Sequence, residues 1–191
     1  SSDLGTEIGK TYVAGLLVKK LHEAGEKSAY YKAAMSGNDK DDDGKLIPGD
    51  AKFVKEFGGI DQPLEEMCHY VYEHAYSPHL AAQIEGNPID LDYTIEKFED
   101  LKDKYDYITL EGSGGILCPL RFDDQEIYLE DFIKKANLST IIVADAGLGT
   151  INNVVLTAFY MKGKGMKVKG IIFNNFIPGD VMQEDNIRSE E

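Results

Sequence analysis

Three short apolar runs restrict the folds that are open to this chain. Residues 107–111, 139–145 and 168–174 are rich in β-branched side chains, and each run ends in a polar residue. This pattern is typical of strands that are buried on both faces of a sheet. A helical pattern at 150–162 separates the last two runs, and such alternation favours parallel strands with right-handed crossovers. We therefore predict an α/β fold whose ligands bind at the carboxyl ends of the strands.

Helices and one further strand are predicted around this sheet. They are a helix whose apolar stripe runs from Val13 and stops at Gly25, a strand at 27–34, and helices at 50–57, from 77 onward and at 92–105. Asp50, Ser77 and Thr150 are residue types that cap helices, and we expect them to begin the helices in which they lie. No internal repeat or interdomain linker is visible, so residues 1–191 are expected to form a single domain.

Composition excludes several classes of function. The 20 Lys and Arg residues against 34 Asp and Glu give a net charge of −14, which repels nucleic acids and anionic lipid surfaces. No run approaches the roughly 20 apolar residues that span a bilayer, and no export signal is visible. Two cysteines, Cys68 and Cys118, are too few for a disulfide framework. We expect a cytoplasmic protein with reduced thiols that binds neither nucleic acid nor membrane.

The tripeptide Gly9-Lys10-Thr11 has the ending of a phosphate-binding P-loop. In such loops backbone N–H groups and a helix N-terminus wrap a triphosphate, the Lys reaches the terminal phosphates and the Thr holds Mg²⁺. The spacing departs from the usual motif, because a first Gly is expected at position 3 or 4 and stands at Gly5. We expect the strand that precedes the loop, and the C-terminal end of the domain, to lie outside this sequence.

Two carboxylates are candidates for the remaining protein ligands of a nucleotide-bound Mg²⁺. Such an ion needs one or two carboxylates beside hydroxyl, phosphate and water oxygens. Asp50 begins a predicted helix, and Glu111 ends a predicted strand. Glu111 is followed by Gly112-Ser113-Gly114-Gly115, a turn whose missing side chains let backbone approach a phosphate closely. Thr11, Asp50 and Glu111 are therefore the predicted magnesium ligands.

Several separated segments resemble the dethiobiotin synthetase family. The matching segments are 6–11, Tyr31-Lys32, Ser36-Gly37, Asp50, 77–79, 111–115, 119–120, 148–152 and Asn174, in the same order. The family closes a ureido ring on 7,8-diaminopelargonate with CO2 and ATP, in biotin biosynthesis. The resemblance implies a P-loop NTPase-like three-layer α/β fold with a mostly parallel central sheet flanked by helices. It also implies a C–N cyclo-ligase that uses ATP as co-substrate and Mg²⁺ as cofactor.

The resemblance also implies residue roles. Lys10 and Lys32 are implied as catalytic residues. The implied ATP-binding residues are Glu7, Ile8, Gly9, Lys10, Thr11, Tyr12, Asp50, Glu111, Gly112, Ser113, Gly114, Asn174 and Asn175. The implied substrate-binding residues are Thr6, Ser36, Leu148, Gly149, Thr150 and Asn152. In the family, segment 148–152 binds the carboxylate of substrate held mainly by the neighbouring subunit, so a homodimer is implied. The chain has Ala33 where the family usually has Pro after the lysine.

Two other functions fit parts of the sequence. One is a related P-loop amidoligase of the cobyrinate diamide synthase kind. The spacing of Lys32 and Ser36 favours a diamine substrate over this alternative. The other is an EF-hand-like calcium-binding module at residues 39–50, because Asp39, Asp41, Asp43 and Asp50 have the spacing of ligands 1, 3, 5 and 12. Pro48 falls where the exit helix of an EF-hand should begin, which disfavours this second function.

Overall fold

Parallel strand pairing is present in the computed structural model, which describes residues 8–188. Its helices are α1 (Lys10–Glu23), α2 (Gly49–Gly58), α3 (Leu64–Met67), α4 (Pro78–Glu85), α5 (Leu91–Lys102), α6 (Leu129–Lys135), α7 (Thr150–Gly163) and α8 (Val181–Arg188). Its strands are β1 (Ser28–Lys32), β2 (Ala34–Met35), β3 (Tyr70–Val71), β4 (Tyr107–Glu111), β5 (Pro119–Phe122), β6 (Glu126–Tyr128), β7 (Ser139–Asp145) and β8 (Lys167–Asn174). The β1/β4, β2/β3 and β7/β8 pairs are parallel, and β5/β6 is an antiparallel hairpin. The predicted α/β class is confirmed.

The chain divides into two compact units. Among the described residues, the larger unit is 11–132, and the smaller unit combines 8–10 with 133–188. The single domain expected from the sequence stays a prediction. Each unit contains a parallel strand pair, β1/β4 in the larger and β7/β8 in the smaller.

In the larger unit, the register of β1 against β4 decides which side chains share a face. Lys32 is paired with Glu111, the last residue of β4. Because side chains alternate along a strand, Tyr30 lies on the same face as Lys32, and Tyr31 lies on the other. Tyr30 packs into a buried core with apolar residues of α1, α2 and α3, among them Val18, Val54 and Met67. The polar pair thus ends a face that is otherwise apolar.

The opposite face of β1 is covered by aromatic rings. The ring of Tyr31 lies 5.5 Å from that of Phe98 on α5 and 6.1 Å from that of Phe132 on α6, measured between centroids. Phe98 and Phe132 also pack edge to face. All three side chains are fully or almost fully buried. Helices therefore cover both faces of β1, the strand that carries Lys32. This packing fixes the position of the C-terminal end of β1.

A buried glutamine completes the hydrogen bonding of β1 on the side away from β4. The Gln62 side chain accepts a hydrogen bond from the Tyr30 N–H (2.8 Å) and donates one to the Tyr30 carbonyl (3.0 Å). Alternate residues of a parallel strand direct their backbone groups to opposite sides, so Tyr30 needs a partner beyond β4. The Gln62 amide takes the place of a neighbouring strand at this residue.

The smaller unit shows more exposed strands than the sequence predicts. In β7 only Ile142 and Ala144 are buried, no residue of β8 is buried, and Ile141 is among the exposed apolar residues. Within residues 8–188, the prediction that β7 and β8 are buried on both faces is therefore wrong. Most residues of β4 are also only half-buried. Within the described part of the chain, β4 pairs only with β1, and β7 only with β8, so each lacks a second strand neighbour.

Other local predictions need correction. The predicted strand at 27–34 is split, because β1 ends at Lys32 and β2 begins at Ala34. Helix α2 begins at Gly49 after Pro48, so Asp50 lies in the first turn rather than at the cap. Gly149, with φ of 89°, occupies the cap position of α7, so Thr150 is its first residue. Ser77 does hold the cap position of α4.

The EF-hand alternative is wrong. Residues 39–47 form a tight loop closed by an antiparallel bridge between Lys40 and Leu46, and the Asp41 carboxylate accepts hydrogen bonds from the backbone N–H groups of Asp43 and Lys45. An Asp that caps its own turn is a common loop device that requires no metal. In the part of the chain that the structure describes, no three His, Cys, Asp or Glu side chains are arranged to hold a metal ion.

Replacing Gln62 with Ala tests its role as a substitute strand. Gln62→Ala leaves the N–H and carbonyl of Tyr30 without partners in a buried environment, at a cost of about 1–3 kcal/mol for each group. We expect the free energy of unfolding, measured by urea titration, to fall by about 2–4 kcal/mol. The control Gln125→Ala removes an exposed glutamine side chain and should change it by less than about 0.5 kcal/mol. Equal effects of the two variants would contradict this role.

Candidate active site

The centre of the site is the ammonium group of Lys32, which lies between two carboxylates. Lys32 Nζ donates hydrogen bonds to Asp50 Oδ2 at 2.6 Å and to Glu111 Oε1 at 2.8 Å. The β1/β4 register sets Lys32 beside Glu111, and the first turn of α2 supplies Asp50. The Glu111 side chain is 3% exposed and that of Asp50 is 41% exposed. The cluster is therefore anchored in the core at Glu111 and open to solvent at Asp50.

Thr11 joins this cluster from the first turn of α1. Its Oγ1 donates a hydrogen bond to Glu111 Oε1 at 2.9 Å, the same oxygen that accepts from Lys32. Thr11, Lys32, Asp50 and Glu111 are separated by up to 100 positions in the chain. The structure thus brings together all three predicted magnesium ligands with one of the two predicted catalytic lysines.

The charges in the cluster determine the protonation of Lys32. Burial disfavours the charged amine, but the attraction of Glu111 and Asp50, with the hydrogen bonds to both, outweighs it and raises the pKa of Lys32. Lys32 therefore stays an ammonium ion at neutral pH and does not act as a free base. Two carboxylates and one ammonium sum to −1, a local charge that favours the approach of a further cation.

The donor atoms of the cluster fit a magnesium ion. Thr11 contributes a hydroxyl oxygen, and Asp50 and Glu111 contribute carboxylate oxygens, which are the oxygen ligands that Mg²⁺ prefers beside phosphate and water. The two carboxylates already share one cation in the structure, the Lys32 ammonium, and the Thr11 hydroxyl contacts Glu111. A Mg²⁺ ion that is also bound by nucleotide phosphates usually takes one or two carboxylates from the protein, which matches Asp50 and Glu111.

The loop after Glu111 is shaped by close packing. A Cβ atom on Gly112 would lie 2.6 Å from a methyl carbon of Leu129, so any larger residue would force the Leu129 side chain to shift. Ser113 Oγ donates a hydrogen bond to the Ala34 carbonyl at 2.5 Å. The Cys118 thiol in turn donates to the Ser113 carbonyl at 2.9 Å. The predicted phosphate-contacting residues 112–114 are thereby held next to the end of β4.

Ser36 carries an unusual buried hydroxyl. Its Oγ atom is buried and has no hydrogen-bond partner within residues 8–188. Ser36 follows β2, and its neighbour Gly37, with φ of 74°, packs against Ala75. Buried polar atoms in native proteins nearly always have partners, so an orphaned hydroxyl at a predicted substrate position is consistent with a ligand-binding role.

The smaller unit contains four further predicted nucleotide-binding residues, Ile8, Gly9, Asn174 and Asn175. Asn174 Nδ2 donates a hydrogen bond to the Ile8 carbonyl at 3.0 Å. Gly9 has φ of 81°, and a Cβ there would lie 2.2 Å from Asn174 Nδ2, so Gly9 allows this contact. Asn175 donates to Asp145, whose carboxylate also accepts from the Gly147 N–H. Asp145 thus stabilises the turn after β7.

The remaining predicted residues fall into three groups. Thr6 and Glu7 lie outside residues 8–188. Lys10 begins α1, and Tyr12 is half exposed with its ring 5.5 Å from that of Phe57. Leu148 and Asn152 are exposed and Thr150 is buried at the start of α7. Contacts of these residues with ATP or substrate stay predictions.

Two residues of the site were missed by the sequence analysis. The Tyr30 hydroxyl donates a hydrogen bond to Glu111 Oε2 at 2.8 Å, and Gln62 holds the backbone of Tyr30. The available signal was period-two alternation, which sets Tyr30 on the same strand face as Lys32. No sequence pattern indicates that Gln62 folds back onto β1.

Comparison with known proteins supports the resemblance. A family model described as "AAA domain" matches residues 3–190. A protein of Brachyspira hyodysenteriae named ATP-dependent dethiobiotin synthetase BioD is 50% identical over 183 residues, which are 95% of this chain and 80% of the relative. Proteins of the same name from Clostridium perfringens and Clostridium kluyveri are 46% and 49% identical over 95% of this chain, and the matches cover 79% and 75% of those proteins. The chain belongs to the family of ATP-dependent dethiobiotin synthetases.

Proposed function

We propose that this protein converts 7,8-diaminopelargonate, CO2 and ATP to dethiobiotin, ADP and phosphate. A substrate amine takes up CO2 to form a carbamate, and a carbamate oxygen attacks the γ-phosphorus as ADP leaves. The second amine then attacks the carbonyl carbon of the carbamic–phosphoric anhydride, which closes the ureido ring and releases phosphate. Family membership favours this reaction over the amidoligase alternative. The observation that carries the proposal is the convergence of Thr11, Lys32, Asp50 and Glu111.

The main obstacle to this reaction is electrostatic, because two anions must meet. A carbamate and a triphosphate repel each other, and fixed positive charge at their junction lowers the barrier. Lys32 retains its positive charge at neutral pH, because Glu111 and Asp50 raise its pKa despite burial. We assign Lys32 to hold the carbamate, and Lys10 at the start of α1 to hold the terminal phosphates.

We assign Thr11, Asp50 and Glu111 as the ligands that would hold Mg²⁺. When bound, the ion neutralises charge on the phosphate oxygens of ATP. Glu111 is anchored by its burial and its hydrogen bonds, so it orients the site. Asp50, which is partly exposed, gives the site access from solvent.

Substrate binding is assigned to Ser36 and to residues 148–152. The orphaned Ser36 hydroxyl supports a polar contact to the diamine. The first turn of α7 lies at the positive end of the helix dipole, which suits a carboxylate. The remaining ATP contacts are assigned to residues 7–12, Gly112–Gly114, Asn174 and Asn175. No helix described within residues 8–188 has the length and apolar character to cross a membrane. We propose a cytoplasmic location because a chain of 191 residues with only two cysteines does not need an oxidising compartment.

We further propose that two copies of the chain pair through α7. This helix exposes a row of apolar side chains, namely Ile151, Val155, Leu156 and Phe159, with Leu148 just before it. Phe159 is 77% exposed, which is costly for an aromatic residue in water. A second copy would bury this face and bring its residues 148–152 towards a neighbouring substrate.

Lys32→Gln tests the proposed function at the residue that carries it. The glutamine keeps a polar side chain but removes the positive charge, so we expect dethiobiotin formation to fall at least about 100-fold. ADP binding, measured by calorimetry, should be retained because Lys10 and the loop amides are intact. Product is measured by mass spectrometry after incubation with diaminopelargonate, bicarbonate, Mg²⁺ and ATP.

The matched control for this experiment is Lys52→Gln. Lys52 lies on the same helix as Asp50 and is exposed, so its loss should leave product formation within about twofold of the original chain. Unchanged product formation in Lys32→Gln would remove Lys32 from the reaction. No product from the unmodified chain would contradict the proposed function itself.

Phe159→Asp tests the proposed dimer. A charge in a buried apolar interface is strongly unfavourable, so this variant should sediment as a monomer where the unmodified chain sediments as a dimer. Asn153→Asp introduces the same charge at an exposed polar position of the same helix and should leave the dimer intact. A monomeric unmodified chain at micromolar concentration in analytical ultracentrifugation would contradict the dimer.

A further inference from the structure

The two carboxylate oxygens of Glu111 have different partners. Oε1 accepts hydrogen bonds from Thr11 Oγ1 at 2.9 Å and from Lys32 Nζ at 2.8 Å. Oε2 accepts one from the Tyr30 hydroxyl at 2.8 Å. Oε1 therefore points to the groups assigned to the reaction, while Oε2 is bound by a group that belongs to the core.

Tyr30 is held rigidly at this position. Its side chain is completely buried, and Gln62 binds both its backbone N–H and its carbonyl. Its ring packs among apolar side chains of the buried core of the larger unit. Its hydroxyl donates to Glu111 Oε2, and a carboxylate oxygen accepts such a hydrogen bond, so the direction is from Tyr30 to Glu111.

We propose that Tyr30 is a positioning residue that restricts Glu111 to single-oxygen metal coordination through Oε1, and thereby favours Mg²⁺ over Ca²⁺. This inference rests on the proposed role of Glu111 as a metal ligand. Oε1 can release its two donors when a metal binds, because Thr11 itself becomes a ligand in the proposed site and Lys32 keeps Asp50 as a partner. Tyr30 is fixed in the core, so two-oxygen coordination by Glu111 would have to displace its hydroxyl from Oε2. Because the phenol is buried, it would then lose its partner in an apolar environment, which is unfavourable.

The selectivity follows from the different demands of the two ions. Mg²⁺ is small, binds six ligands in near-octahedral geometry and is satisfied with one oxygen from a carboxylate. Ca²⁺ binds six to eight oxygens and often uses both oxygens of a carboxylate. A glutamate with one oxygen occupied by a hydrogen-bond donor therefore serves Mg²⁺ well and deprives Ca²⁺ of one ligand.

Tyr30→Phe removes the hydroxyl and keeps the buried ring. Calorimetry on the full chain, with ADP titrated in saturating Mg²⁺ and separately in saturating Ca²⁺, gives the ratio of the two dissociation constants. We expect the preference for Mg²⁺ to fall about tenfold in Tyr30→Phe, mainly through tighter binding in Ca²⁺. A purely structural role would weaken binding equally with both ions and leave the ratio unchanged.

The control is Tyr72→Phe. Tyr72 is also completely buried, and its hydroxyl donates a hydrogen bond to the Asn87 carbonyl at 2.7 Å, with no link to Glu111. This variant loses the same chemical group from a comparable environment, so its metal preference should match that of the unmodified chain. An unchanged ratio in Tyr30→Phe, or an equal change in Tyr72→Phe, would overturn the inference.

A second measurement needs no variant. In infrared difference spectra of the chain labelled with ¹³C-glutamate, single-oxygen coordination gives a wide separation of the two carboxylate stretching bands, and two-oxygen coordination gives a narrow one. We expect a wide separation with both Mg²⁺ and Ca²⁺ in the presence of ADP, and a narrow one with either would overturn the inference. If neither ion changes ADP binding to the unmodified chain, the metal role of Glu111 itself is wrong, and this inference falls with it.

Discussion

A buried ammonium ion between two carboxylates is the interaction on which the site depends. Removing one partner from such a buried pair typically costs about 3–5 kcal/mol, because an uncompensated charge remains. The fold meets this demand by placing Lys32 and Glu111 at paired positions of β1 and β4. The Lys32 ammonium is contacted by carboxylate oxygens of Asp50 and Glu111. The formal charge of these three groups sums to −1, which favours the binding of a further cation.

The elements around the cluster explain why it can be maintained. Helices pack on both faces of β1, and the Gln62 amide satisfies the backbone of Tyr30 where a neighbouring strand would otherwise be needed. Glu111 therefore has three hydrogen-bond donors, Thr11, Tyr30 and Lys32, all held by rigid elements. Precise placement of a charged group requires such a supporting layer of packed and hydrogen-bonded residues.

Much of this arrangement could be predicted from the sequence, because parallel strands gather their terminal residues at one edge. The strand ending at Glu111, the helix after Gly9-Lys10-Thr11 and the convergence of Thr11, Asp50 and Glu111 were all expected, and the structure confirms that proximity. The contributions of Tyr30 and Gln62 were not, since a side chain that folds back onto a distant backbone leaves no periodic signal. The exposure of β7 and β8 was also missed, because burial depends on strand neighbours that a local pattern does not reveal.

The most direct measurement is the position of a divalent cation in a crystal of the chain grown with Mn²⁺ and ADP. Manganese scatters X-rays anomalously and accepts the oxygen ligands of Mg²⁺. An anomalous peak within bonding distance of Thr11 Oγ1 or the Glu111 carboxylate, and adjacent to Asp50, is expected, with the β-phosphate of ADP as a further ligand. A peak bound only to the nucleotide, or located away from these three side chains, would contradict a site organised around this cluster.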